Sequence, residues 1–130
     1  MNINAVVFDI DGTLYPDYQM VLNSIPFSIP RIRLILNYSK VRKKIRAIRP
    51  IEDFQKTQEQ LLSEYMNISK DKARRLIQDE IYEKWEATFK GITPFPGVED
   101  VLYYLKNRGI KLGVLSDFPV DKKLKYLNLP

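Results

Sequence analysis

The stretch Asn4-Ala5-Val6-Val7-Phe8-Asp9-Ile10-Asp11-Gly12-Thr13-Leu14 constrains this chain more than any other. A short apolar run, Ala5 to Phe8, meets two acids and then a glycine. The run reads as a strand buried on both faces, which suits the middle of a parallel sheet. Residues i and i+2 of an extended backbone point the same way. Asp9 and Asp11 are therefore expected to face one crevice beyond the strand's carboxyl end, where open α/β sheets hold their ligands. Gly12 lets the chain turn sharply there.

Two carboxylates this close repel unless a divalent cation neutralises them or one keeps its proton. The pair suits a nucleophile beside a general acid/base. A plain Asp-x-Asp-Gly turn with solvated acids is the competing reading, since both residue types are ordinary in turns. A calcium loop does not fit. Leu14, Pro16 and Tyr18 supply no carboxylate where the loop needs oxygen ligands, and no Glu closes it.

At 130 residues there is room for one domain, or for a small core with an insert. The apolar fraction of 45% is that of a globular chain. Without cysteine or histidine, disulfides, thiolate catalysis, Ser-His-Asp triads and histidine-ligated metals are excluded. The chemistry is left to carboxylates, lysines, hydroxyls, backbone amides and hard cations. No apolar run approaches a membrane span and no signal peptide is recognisable, so the expected setting is cytoplasmic with no membrane partner. The net charge of +5 is a mild bias toward anionic ligands.

After Leu14 the texture becomes helical. Asp17 to Ser24 gives a poor helix signal among Pro16, Pro26 and Pro30. From Arg31, residues Leu34, Tyr38, Val41, Ile45 and Ile48 repeat at spacings of three and four. Pro50 ends that helix and is placed to start a second, marked by Ile51, Phe54, Gln58, Leu61 and Tyr65. Ser69 is a fair N-cap for a third, in which Ala73, Ile77, Ile81, Trp85 and Phe89 fall four apart before Gly91. Residues 31–49 carry eight bases and no acid. An anion-attracting face competes there with a merely solvated helix face, and the latter is favoured. No aromatic ladder interleaves the bases, which argues against nucleic acid.

A Pro-rich connector, Ile92-Thr93-Pro94-Phe95-Pro96-Gly97, leads into a helix with Val98, Val101, Leu102 and Leu105 on one face. Gly109 closes it, and Ile110 to Leu115 reads as a strand ending at Ser116. Helix, glycine and strand in this order suggest a parallel neighbour for the first strand.

These two stretches together resemble the haloacid dehalogenase-like hydrolases. Val7-Phe8-Asp9-Ile10-Asp11-Gly12-Thr13-Leu14 is similar to that family's first motif, apolar residues followed by Asp-x-Asp-Gly-Thr-(Leu/Val). Ser116, at the end of the later strand, is similar to the Ser or Thr of the second. The resemblance implies an α/β fold with a Rossmann-like parallel-sheet core over residues 1–15 and 91–130, and an all-helical cap over 16–90. It implies a Mg²⁺-dependent phosphatase acting on a small phosphorylated metabolite. In that reading Asp9 attacks phosphorus and becomes an aspartyl-phosphate. Asp11 protonates the leaving oxygen and then takes a proton from water. Mg²⁺ would sit on an Asp9 carboxylate oxygen and the Asp11 carbonyl. Ser116, with backbone N–H groups of Asp117 and near Gly12, would bind the phosphate. Mutase chemistry uses the same aspartates, and a family member that only binds an anion or a partner is the alternative.

Two family motifs are not matched. Lys122, Lys123 and Lys125 come too soon after Ser116 to be the third-motif lysine, and the fourth-motif acid pair is absent. The expectation is a fragment of a longer hydrolase or a short form, with slight turnover by itself. A sheet edge beside Ile110 to Leu115 is expected to be open to self-association.

Overall fold

The computed structural model describes residues 3–116 and 118–129. Its class is α/β: a two-stranded parallel sheet among many helices. Strand β1 (Ala5–Asp9) pairs with the later strand in parallel register, Ala5 opposite Lys111 and Asp9 opposite Leu115. Among the described residues, six α-helices accompany them: α1 (Asp17–Ser28), α2 (Ile32–Ala47), α3 (Phe54–Met66), α4 (Lys70–Arg75), α5 (Val98–Asn107) and α6 (Asp121–Leu127). The later strand, β2, is Lys111–Leu115. Two compact units result. One takes the described residues up to Ser24 and from Glu86 onward; the other is Ile25–Trp85.

In the first unit, α5 is the crossover between the parallel strands. Its end follows the sequence signal. Gly109 N–H donates to the Lys106 carbonyl and Ile110 N–H to the Leu105 carbonyl, which satisfies two orphan helix acceptors. The core is built from Ile10, Leu14, Tyr15, Phe89, Ile92 and Leu127, with Phe8, Val114 and Leu124 packed against it. Burying this apolar surface is the main force holding strands and helices together.

The strand expected to be buried on both faces is not. Burial alternates along β1: Val6 and Phe8 are partly covered, while Ala5, Val7 and Asp9 are exposed. A two-stranded sheet with its described helices covers one face, so the apolar run shows the period of a half-buried strand.

The second unit is all-helical, with α2 against α3, α3 against α4, and α4 running into the segment that follows. Leu34, Tyr38, Val41 and Ile45 of α2 are buried, as their spacing requires. The second helix starts later than Pro50 suggested. Asp53 is its N-cap, accepting from Lys56 N–H. Only Gln58 and Leu62 of its face are buried, whereas Phe54 and Tyr65 are exposed. Ser69 caps α4 as expected, accepting from Lys72 N–H.

The third predicted helix is continuous in sequence but not in geometry. After α4, residues Leu76–Trp85 form a π-helix and Glu86–Phe89 a 3₁₀ turn. A four-residue apolar repeat drifts around an α-helix of 3.6 residues per turn. In the wider i→i+5 helix it drifts the other way. The change of winding keeps Ala73, Ile77 and Ile81 all buried. Helix α1, in contrast, forms where the signal was weak. None of its residues is fully buried and Pro26 lies inside it, so no clean apolar stripe marks it. No helix among the described residues is long and apolar enough to cross a membrane.

Candidate active site

β1 ends at Asp9 and the chain folds back at once. Thr13 and Leu14 N–H groups both donate to the Ile10 carbonyl, at 3.2 and 3.0 Å. Gly12 makes this turn at φ +80°, with the Asp17 carboxylate packed against it. A Cβ on Gly12 would lie 2.8 Å from an Asp17 oxygen. The turn leaves Asp9 exposed, with Oδ2 accepting from the Thr13 hydroxyl at 3.2 Å.

Asp11 is held quite differently. Its Oδ1 accepts from the Tyr15 hydroxyl at 2.5 Å, and its Oδ2 from the Ser116 hydroxyl at 2.9 Å. Lys123 Nζ lies 2.8 Å from both oxygens and 2.9 Å from Ser116 Oγ. Ser116 Oγ also accepts from Phe118 N–H at 3.3 Å. Asp11, Tyr15, Ser116 and Lys123 thus form a closed polar cluster at the carboxyl ends of the paired strands. The Lys123 side chain is 0% exposed. Its ammonium lies 4.6 Å from the Phe89 ring centroid and 5.2 Å from that of Phe118.

The electrostatics follow from this packing. Burial pushes the Asp11 carboxyl up. The bonds from Lys123 and Tyr15, the Lys123 charge and the Ser116 bond outweigh it and hold the group below its ordinary 3.8. Burial drives the Tyr15 phenol far above its usual value, helped by the bond to Asp11 and the charges of Asp11, Asp17 and Asp9. Asp11 is therefore an anion at neutral pH, and Tyr15 is a permanent donor to it.

Of the residues named from sequence, Asp11 and Ser116 touch directly. Asp9 stands exposed at the strand end, and Gly12 forms the turn between them and Asp17. Asp117 lies outside the described residues. One of the three lysines set aside as the third-motif lysine nevertheless enters the cluster. Lys123 reaches Asp11 and Ser116, because it points inward from a helix that packs on the core. Its position gives the signal that was missed. It falls three residues after Val120 and four before Leu127, on the apolar face of α6 with Leu124. Tyr15 and Phe89 were also missed. A loop tyrosine four residues after Asp11 has no periodicity to announce it, and Phe89 looked like the end of a helical stripe.

Among the described residues, no group of three or more acidic side chains is gathered as a metal site. Mg²⁺ does not need one, because it is usually held by one or two carboxylates with waters and substrate phosphates. Asp9, exposed and bonded to a neutral hydroxyl, fits that role. The Asp11 carboxylate is already occupied by three donors.

The family model for haloacid dehalogenase-like hydrolases matches residues 3–129. The chain belongs to that family of hydrolases. No curated protein matches its sequence.

Proposed function

We propose that the chain is a Mg²⁺-dependent phosphatase for a small phosphate monoester, acting through an aspartyl-phosphate on Asp9. One observation carries the reading. At the carboxyl end of β1 one aspartate is exposed, and the aspartate two residues on is fixed by a lysine, a serine and a tyrosine. An exposed carboxylate can approach phosphorus, and Thr13 orients it. Mg²⁺, held by Asp9 and the Asp11 carbonyl, would offset phosphate charge so that one anion can approach another.

Asp11 is assigned the proton work. Its resting anion suits proton removal from water. The opposite step needs Asp11 protonated. A phosphate dianion that drew Lys123 and Ser116 toward itself would remove the donors that keep Asp11 ionised, raising its proton affinity as the leaving oxygen needs it. In the same reading, Gly12 and Asp117 supply backbone N–H groups to phosphate. Residues 1–15 and 91–130 belong to a Rossmann-like core, and the helices of 16–90 act as a cap. The compact division after Ser24 and before Glu86 supports the partition. The setting is taken as cytoplasmic, with a phosphorylated metabolite as partner.

A second reading is favoured by the closure of the cluster. Ser116 already gives its proton to Asp11, and Lys123 spends its donors on Asp11 and Ser116. A family member that works by binding a partner, or an anion that displaces these bonds, without turnover would look like this. Phosphate release from generic monoesters, with and without Mg²⁺, separates the two. Turnover that needs Mg²⁺, with a phosphoryl group trapped on the protein, is expected for the native chain and not for Asp9→Asn. No phosphate release from the native protein, with or without Mg²⁺, would leave only the binding reading, and equal measurable rates from native and Asp9→Asn proteins would remove Asp9 as the nucleophile.

A further inference from the structure

We propose that Phe89 is a positioning residue that seats the Lys123 ammonium on Asp11. The 3₁₀ turn Glu86–Phe89 is where the chain re-enters the first unit, and it packs on α6. Residues i and i+3 of a 3₁₀ helix eclipse one another, so Glu86 and Phe89 share one side of the turn. They meet consecutive lysines of α6. Glu86 Oε2 lies 3.2 Å from Lys122 Nζ, and the Phe89 ring lies under Lys123 Nζ. Glu86 is itself buried, and its other carboxylate oxygen has no hydrogen-bond partner among the described residues. The turn is thus tied to the helix at a charge as well as at a ring.

Phe89 does more than fill space. Its ring also meets Tyr15 edge-on, centroids 6.0 Å apart and planes at 86°. Tyr15 and Lys123 are both donors to Asp11. One aromatic ring therefore backs two of the three side chains that fix that carboxylate. A buried ammonium has few ways to recover its lost hydration. Asp11 and Ser116 accept its protons, and the negative ring faces of Phe89 and Phe118 supply attraction where no oxygen stands. Without the Phe89 ring, Lys123 loses both a wall and part of its electrostatic support, and its distance to Asp11 is no longer fixed. The effect on turnover rests on the phosphatase reading; the seating of Lys123 does not.

The test keeps the shape of residue 89 and changes its charge distribution. Phenylalanines with one, two and three ring fluorines are placed at position 89 of the full chain, and at exposed Phe54 as a control. ¹⁵N-labelled lysine reports the ammonium of Lys123, assigned by its loss in Lys123→Met. The native chain is expected to show one slowly exchanging ammonium signal. Its hydrogen exchange should speed up stepwise with fluorination at 89 and stay constant with fluorination at 54. Over the same series kcat should fall about tenfold, the scale of a desolvated cation–ring contact, with KM nearly constant. Absence of the slow signal in the native chain, or a signal indifferent to fluorination, would overturn the proposal and leave Phe89 as packing alone. A signal that follows fluorination in a chain that hydrolyses no phosphate ester would uphold the seating and reject the phosphatase reading.

Discussion

Lys123 and Asp11 are 112 residues apart in sequence, yet Lys123 Nζ sits 2.8 Å from both carboxylate oxygens of Asp11. The pair joins the first turn of the chain to its last described helix. Removing one partner leaves the other partly buried and uncompensated, which costs more than the pair itself contributes. Lys123→Met keeps the length and apolar stem of the side chain. It is expected to lower stability by about 2 kcal/mol, read by denaturant unfolding, since Tyr15 and Ser116 still bond Asp11.

The same pair sets an acid dependence. The folded-state pKa of Asp11 is depressed below 3.8. A carboxyl depressed on folding stabilises the native state above its unfolded pKa, and that contribution disappears as pH falls through the folded value. Native protein should therefore lose stability as pH drops below about 4, the ordinary carboxylate range. Lys123→Met should flatten that limb. An unfolding free energy with the same pH slope in both proteins would remove Asp11 as its source.

In the helical unit, Gln58 is 2% exposed, and its Oε1 accepts from the hydroxyls of Tyr38 and Tyr82, at 3.1 and 2.9 Å. Gln58→Leu fits the space but takes a shared acceptor from two tyrosines. The expected cost is about 1–3 kcal/mol in chemical unfolding. Combining it with Tyr38→Phe and Tyr82→Phe should recover much of that loss, because the two hydroxyls that donate to Gln58 are then removed together with their acceptor. A triple variant as unstable as the sum of the singles would mean that packing, not hydrogen bonding, decides the site.

Gly12 gives a sharper backbone test. At φ +80° any L-residue is strained, and the Asp17 carboxylate also occupies the space of a Cβ. Gly12→Ala should destabilise by about 1–2 kcal/mol from the left-handed conformation alone. Adding Asp17→Ala should relieve the part due to contact. If the double variant regains full stability, the contact with Asp17 carries the whole cost and the left-handed conformation carries none.

Much of the site was legible because strand periodicity and turn chemistry are local. Asp9, Asp11 and Gly12 follow from one stretch, and Ser116 from the helix–glycine–strand run that ends on it. Lys123 was not, because its role depends on which face of a short helix turns inward, and three nearby lysines look alike by charge. Its apolar neighbours Val120, Leu124 and Leu127 distinguish it from Lys122 and Lys125, but only once burial outweighs the expectation that lysines are solvated. The helices of 31–66 were readable from their stripes. The change of winding after Arg75 was not, because a four-residue repeat is compatible with more than one helical pitch. The half-exposed face of β1 escaped as well, since Val6-Val7-Phe8 offers no polar residue to mark the open side.

That open side leads to the last prediction. Val7 is 58% exposed at the centre of β1, and Leu115 is 66% exposed at the end of β2. Val7 stands opposite Gly113, where a Cβ would come within 3.3 Å of a Val7 methyl, so a larger residue on β2 would crowd the face. Each strand pairs with one neighbour among the described residues, which leaves a hydrogen-bonding edge on either side. Exposed apolar residues beside unpaired strand edges favour edge-to-edge pairing between copies. The chain should therefore associate with rising concentration in sedimentation experiments. Val7→Lys places a charge on the exposed face, which Asp9 shares, and Leu115→Lys does so at the end of β2, opposite Asp9. Both should shift the distribution toward monomer, because like charges would meet across a paired edge. Association unchanged in both variants would locate the contact elsewhere on the molecule, such as the exposed apolar residues of α1, and the strand-edge argument would fail.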